Sequence, residues 1–223
     1  MIGLIDSGMG GLTTLAALVE RGCDHRFCYL ADTRHAPYGE RDSLSLIALG
    51  ERWAKRLVGL GADAIVLGCN TLTMAALDYL QATTSVPVYG VRPPVVEGAM
   101  LLGTSYTCRK LGRGVALPRL ATLIDAHYPD LPPIRAYLEG QLEGKSADTV
   151  VLGCTHYALV KDEISRVLHA KTVVDPSVWL ARKLPRATGG QGVGVDLILT
   201  GDGDQGRYIE TLKTLLGKEP NIV

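Results

Sequence analysis

Two cysteines occupy equivalent positions in an internal repeat of the chain. The segment from Ala62 to Thr71 (ADAIVLGCNT) aligns with the segment from Ala147 to His156 (ADTVVLGCTH). In each segment an apolar strand ends in Gly-Cys, and a polar residue then begins a helix. Duplicated units usually bring equivalent points to a shared interface. We therefore predict that Cys69 and Cys154 face each other across a cleft; the alternative is that each is only a small residue in a tight turn.

A cysteine at this position can do acid/base chemistry. A free thiol has a pKa of about 8.5, and the unpaired N–H groups at a helix N-terminus favour the thiolate. We therefore expect both helix starts to lower the pKa of their thiols towards neutrality. One thiolate could then act as a base while the opposing thiol acts as an acid. The other three cysteines, Cys23, Cys28 and Cys108, are predicted to be small buried hydrophobic residues.

Other cysteine and glycine motifs do not fit the chain. The Cys154 and His156 spacing is shorter than that of zinc ligand pairs, and the chain has no C-x-x-C, so we predict no metal site and no thioredoxin-like activity. The run from Asp6 to Gly11 resembles a dinucleotide-binding loop. However, Thr13 stands where the third glycine of G-x-G-x-x-G would fall, so a nucleotide site is not expected.

Composition excludes several classes of partner. The 223 residues include 23 basic and 23 acidic side chains, so no excess of positive charge is available to neutralise a phosphate backbone, and no nucleic-acid partner is predicted. No apolar run reaches the roughly 18 residues of a membrane span, and no membrane partner is expected. The chain starts directly with a strand pattern and lacks the features of a signal peptide, which predicts a cytoplasmic protein with reduced thiols.

Strand and helix patterns alternate, which is typical of an α/β fold with parallel sheets covered on both faces. The carboxyl ends of such strands share one rim, where the chemistry is expected. The pattern is weak from Gly103 to Glu143, and Ala187–Gly194 is predicted to be a loop. The predicted strands are Ile2–Ile5, Phe27–Leu30, Ala64–Leu67, Val86–Gly90, Thr149–Leu152, Lys171–Val174 and Val195–Leu199. The predicted helices are Gly11–Arg21, Ser43–Leu60, Thr73–Thr83, Ala158–Leu168, Val178–Leu184 and Gln205–Leu216.

Motifs along most of the chain carry a family resemblance. They are Asp6-Ser7-Gly8-Met9-Gly10-Gly11-Leu12-Thr13, Asp32-Thr33, Pro37-Tyr38-Gly39, Cys69-Asn70-Thr71, Leu152-Gly153-Cys154-Thr155-His156-Tyr157, Val174-Asp175 and Thr200-Gly201-Asp202. In these motifs the chain resembles the glutamate racemases of the aspartate/glutamate racemase superfamily. The resemblance implies an α/β fold of two pseudo-symmetric lobes, each with a mainly parallel sheet flanked by helices, and an active site between them. We expect residues 1–91 and about 195–223 to form the first lobe and 92–194 to form the second.

The resemblance also implies a function and roles for individual residues. Family members interconvert L- and D-glutamate without pyridoxal phosphate, metal or nucleotide, they supply D-glutamate for peptidoglycan, and many are homodimers. By this resemblance Cys69 and Cys154 move the α-proton on opposite faces, which inversion requires, and Asp6 and His156 assist them and contact the substrate. The expected substrate-binding residues are Ser7, Asn70, Thr71 and Thr155, with the backbone N–H groups of the turn at Tyr38 and Gly39.

The chain departs from the family pattern in its second lobe, which is expected to be short. The segment Gly103-Thr104-Ser105-Tyr106-Thr107 resembles the family's Gly-Thr-x-x-Thr element, but the strand before it, and the helix and strand after it, are not evident in the sequence. Pro93 and Pro94 replace the usual Glu-Pro of the hinge, and Asp125 is the candidate for the acidic residue that precedes the second cysteine motif. Two hypotheses stay open: an active racemase for glutamate, aspartate or another amino acid, and a racemase-like protein that binds a ligand or partner without turnover.

Overall fold

Two parallel sheets organise the computed structural model, which describes residues 1–23, 25–184 and 193–217 and the backbone of residues 221 and 222. The first sheet has the strand order β10-β9-β2-β1-β3-β4 and the second has the order β6-β5-β7-β8, and all of their pairings are parallel. The strands are β1 Ile2–Asp6, β2 Arg26–Ala31, β3 Ala64–Leu67, β4 Val88–Gly90, β5 Met100–Gly103, β6 Val115–Ala116, β7 Thr149–Gly153, β8 Thr172–Val174, β9 Gly194–Leu199 and β10 Asn221–Ile222.

Helices connect the strands. The α-helices are α1 Gly11–Glu20, α2 Ser43–Gly59, α3 Asn70–Thr83, α4 Ser105–Leu111, α5 Leu120–His127, α6 Pro132–Leu142, α7 Lys161–Leu168, α8 Pro176–Ala181 and α9 Gln205–Leu216. Short 3-10 helices cover Thr33–His35, Tyr38–Glu40 and Thr155–Val160. The predicted α/β class with two parallel sheets is confirmed. No helix in the described part of the chain has both the length and the apolar character that a membrane span requires.

The side chains along each strand of the first sheet point alternately into two hydrophobic cores, one on each face of the sheet. Leu4 and Tyr29 pack with α1 and α9, whereas Ile5 and Leu30 pack with α2 and α3 on the other face. Successive side chains of a strand point to opposite faces, so apolar runs without polar interruptions become strands that are buried on both sides. A third core packs α5, α6 and α7 against the second sheet. All five cysteines are buried, which confirms the prediction for Cys23, Cys28 and Cys108.

The prediction that the second lobe lacks elements around Gly103 was wrong. Strand β5 precedes Thr104, helix α4 follows it, and β6 then pairs with β5. These elements have only four, seven and two residues, too few to show a periodic pattern, and neighbouring strands supply the burial that makes β5 a strand. Thr104 begins α4 as a helix cap, because its hydroxyl accepts a hydrogen bond from the Thr107 N–H.

The chain returns to the first sheet at α8. Leu180 and Ala181 join the core beneath α1, and the buried hydroxyls of Thr14 and Ser177 are hydrogen-bonded at 3.0 Å. The lobe boundaries expected at residues 92 and 195 stay a prediction. Of the predicted loop Ala187–Gly194, residues 187–192 lie outside the described part of the chain.

Candidate active site

Both sheets end in a cysteine at one shared cavity. Cys69 follows β3 and Gly68 and is the N-cap of α3, and Cys154 follows β7 and begins the 3-10 helix that starts at Thr155. Each thiol residue is only 6% exposed, and both line a cavity of about 310 Å³ between the two sheets. The two halves of the sequence repeat therefore meet at their carboxyl ends, as the repeat predicts.

The predicted site residues fall into two groups. Five of them line the cavity together with the two cysteines, whereas three are buried and do not line it. The lining group consists of Ser7, Tyr38, Gly39, Thr71 and His156, and the buried group consists of Asp6, Asn70 and Thr155. Within the described residues no cluster of three or more His, Cys, Asp or Glu side chains could hold a metal ion.

Asp6 is a fully buried carboxyl group at the end of β1. Its Oδ1 accepts a hydrogen bond from the Gly8 N–H at 2.8 Å, and its Oδ2 accepts one from the Thr155 hydroxyl at 3.1 Å. Burial raises the pKa of Asp6 to about 6, although the charge of His156 and these hydrogen bonds oppose the shift. The Thr155 hydroxyl thus contacts Asp6, and this hydrogen bond crosses from the second lobe to the first.

His156 lies between the second thiol and an acidic residue. Its Nε2 is 3.1 Å from both carboxylate oxygens of Asp125, and its Nδ1 is 3.8 Å from the Cys154 sulfur. Burial lowers the pKa of His156, but the Asp125 carboxylate and the Cys154 sulfur outweigh burial and hold the pKa well above its usual value. The ring is therefore protonated at neutral pH, and it presents a positive charge and a proton donor to the Cys154 sulfur.

The prediction of a lowered thiol pKa was wrong for Cys69. Burial raises the pKa of the Cys69 thiol well above its usual value, and the nearby Asp6 carboxylate adds to the shift. The N–H groups of Leu72 and Thr71 at the start of α3 act in the opposite direction, as expected for a helix N-terminus, but they are outweighed. Burial and the Asp6 charge therefore favour the thiol form of Cys69.

The glycines of the first motif allow the two lobes to touch. A Cβ atom at Gly8 would lie 2.6 Å from an Asp125 carboxylate oxygen and 2.9 Å from His156 Nε2. A Cβ atom at Gly10 would lie 2.5 Å from the backbone nitrogen of His156 and would also overlap its ring. The loop after β1 therefore packs against the second cysteine motif without room for side chains, which the sequence did not indicate.

Asp32 fixes the turn that forms another wall of the cavity. This carboxylate is fully buried and accepts hydrogen bonds from the Tyr38 hydroxyl at 2.6 Å, Trp53 Nε1 at 2.8 Å and the Thr200 hydroxyl at 2.6 Å. Burial raises its pKa, but the hydrogen bonds outweigh burial and the net pKa is lowered. Trp53, which packs in the core between the first sheet and the helices α2 and α3, thus also has a polar function. The carboxylate holds Tyr38, and with it the turn that includes Gly39, against the cavity.

Several cavity residues were not predicted as site residues. Thr104 is hydrogen-bonded through its hydroxyl to that of Thr71 at 2.9 Å, and Met9, Arg207 and Tyr208 line the opposite side. Thr104 lies in the Gly-Thr-x-x-Thr element that resembles the family pattern, and this was the available signal. Arg207 belongs to α9, whose sequence predicts a helix but gives no sign of its position beside the cavity.

The Asn70 side chain has an incomplete set of hydrogen bonds. Its Nδ2 donates to the Val91 carbonyl at 2.8 Å, whereas its buried Oδ1 has no hydrogen-bond partner among the described residues. A buried acceptor without a partner is costly. The residue is therefore a candidate for contact with a donor group that enters from the cavity.

We expect Asp6 to make stability depend on pH between about 4 and 6. The folded state holds a proton there that the unfolded state releases, so the free energy of unfolding should fall as pH rises through this window, by up to about 3 kcal/mol. Asp6→Asn should remove this component, and Asp78→Asn, at an exposed carboxylate, should keep it. Urea denaturation at several pH values measures the slopes, and equal slopes for the parent and Asp6→Asn would contradict the assignment.

Gly10→Ala should destabilise the protein although its backbone angles suit alanine. The added methyl group meets the backbone and ring of His156, and overpacking of this kind typically costs about 1–3 kcal/mol. Gly59→Ala is the matched control: Gly59 ends α2 with open space around it, so alanine should stabilise by about 0.5–1 kcal/mol. Thermal and urea unfolding of both variants test the close approach, which equal stabilities would disprove.

Comparison with known proteins gives a consistent result. No protein-family model matches the chain. A glutamate racemase from Ralstonia nicotianae is 36% identical, over 96% of this chain and 85% of that protein, and one from Aquifex aeolicus is 32% identical, over 98% and 94%. The solved structure of a glutamate racemase from Thermus thermophilus in complex with β-chloro-D-alanine is 29% identical, with a TM-score of 0.83 over 100% of this chain and 95% of that one.

Proposed function

The chain belongs to the glutamate racemase family, and we propose that it interconverts L- and D-glutamate by using Cys69 and Cys154 as opposed acid and base. One observation carries the assignment of the two thiols: they follow equivalent strands of two separate sheets and line one shared cavity. Inversion needs a base on one side of a carbon and an acid on the other, and this arrangement offers both. By its family, the protein supplies D-glutamate for peptidoglycan.

The proposed proton transfer depends on the different surroundings of the two thiols. Cys69 begins as the thiol, because burial and Asp6 disfavour its anion. The thiolate of Cys154, next to the protonated His156, removes the α-proton and becomes a thiol, and the C–H electron pair passes into the carbanion stabilised by the adjacent carboxylate. The Cys69 thiol then donates its proton to the opposite face and becomes a thiolate. Atoms and charge balance, and the enzyme is left ready to act on the opposite enantiomer.

Asp6 and His156 assist the two thiols. Asp6 has a pKa of about 6 and lies close enough to Cys69 to influence its charge, so it can accept or return a proton near neutral pH. His156 supplies positive charge to the Cys154 side. Thr155 acts through its hydrogen bond to Asp6, so we propose an indirect role for this residue instead of direct contact with the α-carboxylate.

The remaining cavity residues orient the amino acid. We propose that Ser7 and Thr71, which line the cavity, contact the α-ammonium and α-carboxylate groups. Asn70 is buried beside Thr71 at the start of α3, and we propose that its unpartnered Oδ1 accepts a hydrogen bond from the ammonium when the substrate is bound. The backbone N–H groups of the turn at Tyr38 and Gly39 are proposed to bind the side-chain carboxylate. Because β5, α4 and β6 complete the second lobe around Thr104, we favour turnover over binding alone.

Location and assembly are further parts of the proposal. A reducing cytoplasm would keep two catalytic thiols active, and the chain's net charge of zero favours neither nucleic acid nor an anionic membrane surface as a partner. A homodimer follows from the family resemblance. Light scattering coupled to gel filtration measures the mass, and a monomer at all concentrations would rule out the dimer.

Deuterium incorporation at Cα tests the function. In heavy water, each glutamate enantiomer should gain deuterium and yield the opposite enantiomer, which mass spectrometry and chiral chromatography detect. L-aspartate and D-aspartate, incubated in parallel, test the alternative substrate. The absence of exchange with all four substrates would disprove racemisation, and exchange without inversion would show that only one thiol is productively placed.

Cys69→Ser and Cys154→Ser should each lower racemisation by at least about 1,000-fold while glutamate binding is largely retained. A hydroxyl is a far weaker acid than a thiol, so it cannot replace either proton carrier. Cys108→Ser is the matched control, because Cys108 is buried and contacts β5 instead of the cavity. Near-normal turnover by either of the first two variants would show that its thiol has been misassigned.

A further inference from the structure

We propose that Arg207 is a positioning residue for the Cys154 side of the reaction, because it joins the two lobes and holds the residue that orients His156. This inference rests on the racemase function proposed above. Arg207 lies in the first turn of α9, which packs on the first sheet, and its side chain lines the cavity. Its guanidinium group reaches across to the end of α5 in the second lobe.

The contact is made to backbone atoms at a helix end. Arg207 Nη1 donates to the Asp125 carbonyl at 2.7 Å, and Nη2 donates to the Tyr128 carbonyl at 2.8 Å. The last carbonyl groups of an α-helix lack partners within the helix and carry partial negative charge. A planar guanidinium group supplies them with both hydrogen-bond donors and a positive charge. The cation therefore caps α5 from the other lobe.

The position of Arg207 in its own helix supports a specific role. Asp204 is the N-cap of α9 and accepts hydrogen bonds from the N–H groups of Gly206 and Arg207, which places Arg207 third in the helix. A positive charge in the first turn is unfavourable to the helix dipole, and Glu or Gln is the usual choice at this point. Because this placement is unfavourable for α9, we infer that the Arg207 side chain is there for its contact with α5.

Asp125 transmits this contact to the thiol. The backbone of Asp125 is held by Arg207, and its carboxylate accepts hydrogen bonds from the Met9 N–H at 3.2 Å and from His156 Nε2 at 3.1 Å. His156 in turn places Nδ1 3.8 Å from the Cys154 sulfur. Helix α9 also contacts this network through Met9, because the Thr211 hydroxyl donates a hydrogen bond to the Met9 sulfur at 3.3 Å. Asp125 is thus fixed from both lobes, whereas Cys69 lies outside this chain of contacts.

Loss of the contact should impair one proton transfer more than the other. We expect Arg207→Ala to lower kcat/KM by about 10- to 100-fold, because small displacements of a catalytic group have effects of this size. Since the equilibrium constant between enantiomers is one, kcat/KM must fall equally in both directions. The unequal effect on the two proton transfers appears instead in the primary deuterium isotope effect, measured with glutamate that carries deuterium at Cα. It should increase only for the enantiomer whose proton Cys154 removes.

Three further variants make this test specific. Asp125→Asn should increase the isotope effect for the same enantiomer as Arg207→Ala, and the double variant should be less impaired than the product of the two single effects. Arg207→Lys, which keeps the charge but loses the planar pair of donors, should have an intermediate effect. Lys213→Ala removes a positive charge from the last turn of the same helix and should stay within about twofold of the parent.

A second measurement does not depend on turnover. Hydrogen–deuterium exchange of the peptide that covers residues 120–128 should become faster in Arg207→Ala and stay unchanged in Lys213→Ala. If the parent protein does not racemise glutamate, the proposed function fails, and this exchange result alone decides whether the contact between the lobes exists.

Specific outcomes would overturn the proposal. Parent-like kinetics and unchanged exchange in Arg207→Ala would show that the contact has no effect. Equal increases in the isotope effect for both enantiomers would indicate general loosening of the cavity. An increase in KM with unchanged kcat would instead make Arg207 a binding group for the substrate carboxylate.

Discussion

The site depends on the close packing of two loops, one from each sheet. The loop after β1 contains Gly8 and Gly10, and it lies against His156 and Asp125 at distances that leave no room for a Cβ atom. This packing brings the loop after β1 against the second cysteine motif, beside the cavity that both thiols line. In a dinucleotide-binding fold, glycines bring the backbone close to a phosphate. Here they bring two parts of the same chain together.

The titratable groups Asp6, Cys69 and His156 are all buried, but they do not all lose their charge. Burial alone disfavours every charged form, and it raises the pKa of Cys69 and of Asp6. His156 keeps its charge because the Asp125 carboxylate is within hydrogen-bond distance. The two thiols therefore sit in different surroundings although they occupy equivalent positions in the repeat. This asymmetry gives the proposed reaction a defined starting state, in which one sulfur carries a proton and the other faces a cation.

The sequence predicted most elements outside the segment from Met100 to Leu142 and missed those inside it. The strands β1, β2, β3 and β9 are apolar runs and the helices α2 and α9 have clear periodicity, so their identities followed from the pattern. Strand β5 was missed because its burial comes from its neighbours β6 and β7, and β7 is distant in sequence. The pKa of the Cys69 thiol was predicted to be lowered, and this prediction was wrong for a related reason. The helix N-terminus is a local feature that the sequence reveals, whereas the extent of burial is set by the other lobe.

The sequence by itself determined which residues could carry the chemistry: the repeat identified Cys69 and Cys154, and the motifs identified several of the side chains that line the cavity with them. Local patterns suffice for this because a Gly-Cys that follows a strand and precedes a helix lies at the carboxyl end of its sheet, where parallel sheets carry their chemistry. Only the tertiary structure decided the charge state of Cys69, the indirect position of Thr155 and the place of Arg207 beside Asp125. Each of these arises from contact between the two lobes, and desolvation and inter-lobe hydrogen bonds depend on distances that no local pattern encodes.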